Sequence, residues 1–187
     1  VMRNEFSLLI AGKAGFGIDK SGMILARIFN LLGLRLYVYR DYPSIIRGGH
    51  TFSIIRASEN RIATHKDKID FMLALNQDTF NFHKERLEDN SVVIYDADAV
   101  KVAGLSNPAK ALGLPITNIV KAENASEVMR NTCIIWAFVK AGGIKWDILE
   151  KVLKKEFSKD IDLNLKVARR GYDESKESLR IRSASGK

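Results

Sequence analysis

The chain has 187 residues, with 30 Lys+Arg against 22 Asp+Glu and a formal net charge of +8. Hydrophobic residues make up 46% and charged residues 28%, which excludes wholesale disorder and fits one globular domain with a sizeable core. A single Cys and three scattered His, at positions 50, 65 and 83, exclude a disulfide framework and argue against a self-contained zinc site or iron–sulfur cluster, each of which needs several ligands.

The positive surplus suggests an anionic partner without naming it. Aromatic residues are not interleaved with the basic ones as nucleotide stacking would require, so no nucleic-acid partner is expected. The longest apolar region, 23–39, is interrupted by Arg27, Asn30 and Arg35, so no membrane span is expected. A cytoplasmic setting follows as the default.

Residues 6–11 form an apolar run that predicts a strand buried on both faces. The loop Gly12-Lys13-Ala14-Gly15-Phe16-Gly17 follows. Asp19 and Ser21 then stand where a helix N-cap belongs, and Met23, Ile24, Ile28, Leu31 and Leu32 repeat at helical spacing up to Gly33. Residues 34–39 predict a second strand, completing a βαβ unit. A turn at 41–44 and Arg47-Gly48-Gly49-His50 lead into a strand over 51–57. Ser58-Glu59-Asn60 reads as a tight connection into 61–64, which predicts an antiparallel hairpin inserted in a parallel sheet.

Further strands are expected at 71–75 and 92–95, with a helix over 78–87 between them. Residues 112–117 are a weaker strand, placed at an edge by Pro115. Ser126 is the expected cap of a helix through Lys140, stopped by Gly142-Gly143. Two more helices follow at 145–157 and 161–170, the first amphipathic. The predicted class is α/β: a three-layer, mostly parallel Rossmann-like sheet with an inserted antiparallel hairpin and a helical C-terminal region. The domain is placed at 1–172, and 173–187 reads as a polar tail or linker.

A glycine loop between strand and helix lets a phosphate approach the backbone, and the helix N-terminus adds N–H donors and a positive dipole end. The spacing here is G-x-x-G-x-G. It is neither the dinucleotide fingerprint G-x-G-x-x-G nor a P-loop, and the same glycines also suit a plain tight turn. Lys13 stands beside the first of them. Arg47-Gly48-Gly49 is a second place where backbone N–H groups and a guanidinium can hold an anion, and both loops follow strands, whose C-terminal ends line the crevice of open α/β sheets. Asp41 occupies a ribose-acid position, but the glycine spacing does not fit that role. His50 reads as structural, Asp96 and Asp98 as turn-forming, Trp136 and Phe138 as core, and Cys133 as a buried, inert thiol.

Two segments together resemble one family. Ile10-Ala11-Gly12-Lys13-Ala14-Gly15-Phe16-Gly17-Ile18, with Gly22 and Ala26, and then Tyr42-Pro43-Ser44 through Arg47-Gly48-Gly49-His50 are similar to the gamma subunit, or gamma domain of a fused alpha chain, of 2-oxoacid:ferredoxin oxidoreductases. Asn131, Asn164 and Gly171-Tyr172 fit as well. Phe16 departs from it, since the family loop usually carries Gln there.

The resemblance implies a multi-subunit enzyme that converts a 2-oxoacid, CoA and oxidised ferredoxin to acyl-CoA, carbon dioxide and reduced ferredoxin. It places thiamine diphosphate and the iron–sulfur clusters in partner chains. It implies a CoA contact for this chain, with Gly12, Lys13, Gly15, Phe16, Gly17, Ser44, Arg47, Gly48 and Gly49 as site residues, no catalytic acid or base, and no activity for the chain alone. A stand-alone NAD- or FAD-binding protein and a purely structural docking module are the alternatives.

Overall fold

The computed structural model describes residues 2–42, 49–105, 110–157, 159–177 and 180–181. A two-residue strand β1 (Met2–Arg3) precedes β2 (Glu5–Lys13), whose side chains from Phe6 to Gly12 are all buried. Leu8 and Ile10 enter one core and Leu9 and Ala11 another, as the two-residue period of a strand covered on both faces requires. Helix α1 (Ile18–Leu31) buries Ile24, Leu25, Ile28 and Phe29. Gly33, at φ 79, reverses the chain into β3 (Arg35–Asp41). Strand β4 (His50–Ser58) comes next, then β5 (Ile69–Ala74).

The sheet has six strands in the order β3-β4-β2-β5-β6-β7, with β6 at Leu87–Asp96 and β7 at Lys110–Leu114. Strands β2, β5, β6 and β7 run parallel, while β4 is antiparallel to both β2 and β3. The mostly parallel α/β class with an antiparallel insertion is therefore as expected. The second hairpin strand is not: residues 61–64 form no strand. Strand β4 already has β2 on one edge and β3 on the other, so no edge is left for 61–64 to pair with.

Other differences are local. Asn76 caps α2 (Gln77–His83) by accepting from the Thr79 N–H at 3.0 Å. A 3-10 turn, Lys84–Arg86, then ends the helical stretch, and β6 begins at Leu87, earlier than the apolar run suggested. Strand β7 lies at the edge as expected, but Pro115 ends it and starts α3 (Ile116–Ala122), an unexpected helix. Helix α4 (Met129–Ala141) begins after Ser126, which offers a backbone carbonyl to the Met129 N–H and no side-chain cap.

Helices α5 (Trp146–Glu156) and α6 (Ile161–Glu174) complete the thick layer. It joins α1, α3, α4, α5 and α6 in one core with one face of the sheet. The opposite face carries a smaller core closed by Phe80 of α2 and by Val100.

Helix α4 is buried from Asn131 through Val139, as a helix that is apolar all round must be. Trp136 and Phe138 are in its core, as expected. Its contact with α6 is close: a Cβ on Gly171 would lie 2.9 Å from the Cys133 carbonyl carbon. Between the same helices, the buried Thr132 hydroxyl donates to Asn164 Oδ1 at 3.1 Å. Beyond residue 172, α6 continues to Glu174, and strand β8 (Arg180–Ile181) pairs parallel with β1. Ile181 N–H donates to the Gly142 carbonyl at 2.9 Å.

Candidate functional site

The antiparallel direction of β4 makes the site possible. Its first residue, His50, pairs with the last residue of β2, Lys13. The two glycine segments therefore meet at one edge of the sheet, and the Ala14 N–H donates to the Gly49 carbonyl at 3.0 Å. A parallel strand in that place would have started at the opposite edge.

Of the site residues expected from sequence, Gly12 is buried at the end of β2 and Lys13 is exposed. Gly15 and Gly17 are left-handed at φ 87 and 76, conformations that suit glycine. Phe16, between them, is half-buried. Gly49 is left-handed at φ 91. Ser44, Arg47 and Gly48 lie outside the described residues.

The loop is closed by its own backbone: the Phe16 N–H donates to the Lys13 carbonyl at 3.2 Å. Two of its donors, Ala14 and Phe16, are thus committed within the protein. Helix α1 starts at Gly17 without a side-chain cap. Ser21 donates to the Gly17 carbonyl, and Asp19 faces Tyr42 and Arg40, so neither residue caps α1 as expected. The Asp19 hydrogen bond raises the pKa of the Tyr42 hydroxyl above its usual value.

Beside the loop lies a cleft of about 290 Å³. It opens at the C-terminal ends of the parallel strands β2, β5 and β6, where open α/β sheets bind ligands. Gly12, Lys13, Phe16 and Ile18 form one wall. Leu75, Asn76 and Ala99 form the floor, and Glu127, Val128, Arg130 and Asn131 cover it from the start of α4. Asn131 Nδ2 donates to the Phe16 carbonyl at 2.5 Å and ties α4 to the glycine loop across 115 positions of sequence. A Cβ on Gly17 would stand 3.1 Å from that amide nitrogen.

Arg130 is a cation that the sequence reading missed. Its guanidinium donates to the Leu75 carbonyl at 2.6 Å, pairs with Glu127 at 3.2 Å and lies 3.8 Å from Asp96. Asp96 is fully buried and accepts from the Asp98 and Thr117 N–H groups and the Thr117 hydroxyl. A buried carboxylate needs such partners, and both acids are structural, as read. Arg130 thus spends much of its charge inside the protein, while Lys13 projects it at the mouth. The first N–H groups of α4 are also committed, to the Ser126, Glu127 and Val128 carbonyls.

His50 and His83 face each other at 2.8 Å between their Nε2 atoms. That contact needs one donor and one lone pair, so the two rings cannot both be protonated. Burial lowers both pKa values, His83 to about 4. Cys133 is buried, and burial raises its thiol to about 12, which fits the inert thiol expected. A chain with this one thiol cannot ligate an iron–sulfur cluster by itself, and no group of three metal-ligating side chains occurs among the described residues. None of the described helices is long and apolar enough to cross a membrane.

Asp41 is displaced from the ribose-acid position. In a dinucleotide fold the strand after the first helix pairs with the first strand. Here β4 stands between them, with Phe52 opposite Asp41 on one edge and Ala11 on the other.

A family model described as pyruvate ferredoxin/flavodoxin oxidoreductase matches residues 7–174. The chain belongs to this family. Within it, the chain is 27% identical over 173 residues to the 2-oxoglutarate synthase subunit KorC of Archaeoglobus fulgidus, covering 92% of this chain and 89% of that protein. It is 24% identical over 181 residues to the ketoisovalerate oxidoreductase subunit VorA of Methanothermobacter thermautotrophicus, where it spans 94% of this chain but 37% of the relative.

The fold matches the gamma subunit of a keto/oxoacid ferredoxin oxidoreductase from Geobacter sulfurreducens, with a TM-score of 0.80 at 22% identity, over 92% of this chain and 97% of that one. It also matches the 2-oxoglutarate:ferredoxin oxidoreductase of Magnetococcus marinus, a structure with 2-oxoglutarate, coenzyme A and succinyl-CoA bound. That TM-score is 0.82 at 20% identity, over 97% of this chain and 33% of the other. The resemblance drawn from the two loops is thereby borne out. The cleft residues from α4 and the β5–α2 connection are what the two loops alone did not reveal.

Proposed function

We propose that this chain is the gamma-type part of a 2-oxoacid:ferredoxin oxidoreductase and that its cleft receives part of CoA. The observation that carries the reading is the Ala14–Gly49 hydrogen bond, which joins the second glycine segment to the loop whose Gly12, Lys13 and Phe16 line the cleft at the C-terminal strand ends. Lys13 supplies the cation at the mouth. Gly15, with nothing within 4 Å of where a Cβ would stand, keeps the backbone open to a phosphate, and Arg47-Gly48 adjoins Gly49 in sequence.

Thiamine diphosphate and the iron–sulfur clusters belong to partner chains, and the complex works in the cytoplasm. This chain's share is to bind and orient the acyl acceptor and to pack against those partners. The support from relatives is the family match and the CoA-bound Magnetococcus marinus structure of the same fold.

The test is CoA titration of the assembled oxidoreductase carrying Lys13→Ala. Loss of one charge-assisted contact, about 1.5–3 kcal/mol, weakens CoA by roughly 10- to 150-fold. Equal affinity for wild type and variant would remove Lys13 from the site.

A further inference from the structure

Phe16 is the residue where this chain leaves the usual loop sequence, and its surroundings suit one portion of CoA. Its N–H is held by the Lys13 carbonyl and its own carbonyl by Asn131 Nδ2. Left-handed glycines stand on both sides. The backbone is thus fixed at both ends, and it carries the side chain on the cleft wall. The half-buried ring lines the cleft with Ile18, Leu75, Ala99 and Val128, and Lys13 Nζ lies 5.6 Å from the ring centroid.

A cavity of about 290 Å³ is at the small end of ligand sites and holds only a portion of CoA. A held aromatic ring with a cation beside it matches a planar base next to a phosphate. The adenosine end of CoA has that pairing, and the pantetheine arm has neither group. We propose that Phe16 stacks on the adenine of CoA while Lys13 meets an adjoining phosphate, making Phe16 a specificity-determining residue for the adenosine end. The inference rests on the CoA reading above.

The experiment uses the assembled oxidoreductase with Phe16→Leu, and Phe16→Gln as a second variant should the first fail to assemble. Adenosine 3′,5′-bisphosphate and pantetheine serve as competitors of CoA. Loss of a base–aromatic stack raises the KM for CoA and the Ki for the bisphosphate together, by roughly 5- to 150-fold. The ratio of bisphosphate Ki to pantetheine Ki rises by the same factor, and Phe16→Trp keeps both near wild type. An unchanged bisphosphate Ki, or an equal rise for both competitors, overturns the stacking role. Lys13→Ala separates this failure from that of the broader reading. If Lys13→Ala weakens CoA and Phe16→Leu does not, only the stack is lost. If neither variant changes CoA binding, the cleft is not the CoA site.

Discussion

His83 is 4% exposed, with His50, Phe52 and Arg86 around it. Burial, then the neighbouring His50 and Arg86, lowers its pKa from 6.5 to about 4. His50, half-buried and facing Asp41, Asp78 and the Phe82 ring, moves in the same direction. A histidine whose folded pKa is lowered favours folding most above pH 6.5. As pH falls toward 4 the unfolded chain takes up a proton that the folded chain refuses, so stability falls through that window. Between pH 7.5 and 5, His83 alone accounts for a loss of about 2 kcal/mol, before most carboxylates titrate. Urea unfolding at the two pH values measures it, with His83→Phe as comparison. An equally steep loss in that variant would assign the slope to other groups.

Among elements, the α4–α6 contact is the least forgiving. Gly171 lies against the backbone of Cys133, and backbone cannot yield as a flexible side chain does. Gly171→Ala therefore separates the helices, at a cost of about 3 kcal/mol from overpacking, and thermal unfolding registers a Tm lowered by about 6–12 °C. An unchanged Tm would mean that α6 shifts freely on α4. Elements with strong periodicity were legible from sequence. The apolar runs of β2 and β5 and the helical spacing of α1, α5 and α6 placed them directly. Helix α3 was not, because Ile116–Ala122 is seven residues long and its approach through Pro115 resembles an edge strand. The false strand at 61–64 came from a real turn signal at Ser58-Glu59-Asn60 whose strand had no unpaired edge to offer.

For the whole molecule, one wall of the site was readable and the other was not. The glycine loop announces itself locally. Arg130 and Asn131 open a helix whose apolar pattern reads as core, and only the packing of α4 over the strand ends brings them to Phe16. With its one thiol buried, this chain cannot hold an iron–sulfur cluster by itself. The purified chain is expected to give no CoA-dependent reduction of a ferredoxin or viologen acceptor with pyruvate or 2-oxoglutarate. Turnover by the chain alone would overturn its assignment as a subunit.

The insertion of β4 has a consequence for how such a protein can diversify. Asp41 and His50 end and begin strands that are hydrogen-bonded neighbours, with Asp41 opposite Phe52. The connection between them leaves and re-enters the sheet at adjacent points. Its length can change without shifting either strand, since each doubling of a loop adds only about 0.6 kcal/mol of closure entropy. The stretch that carries Arg47 can be recut, residue by residue, while β2, its glycine loop and the α4 tether stay in register. The sequence between Asp41 and His50 can therefore change while the scaffold is inherited unchanged.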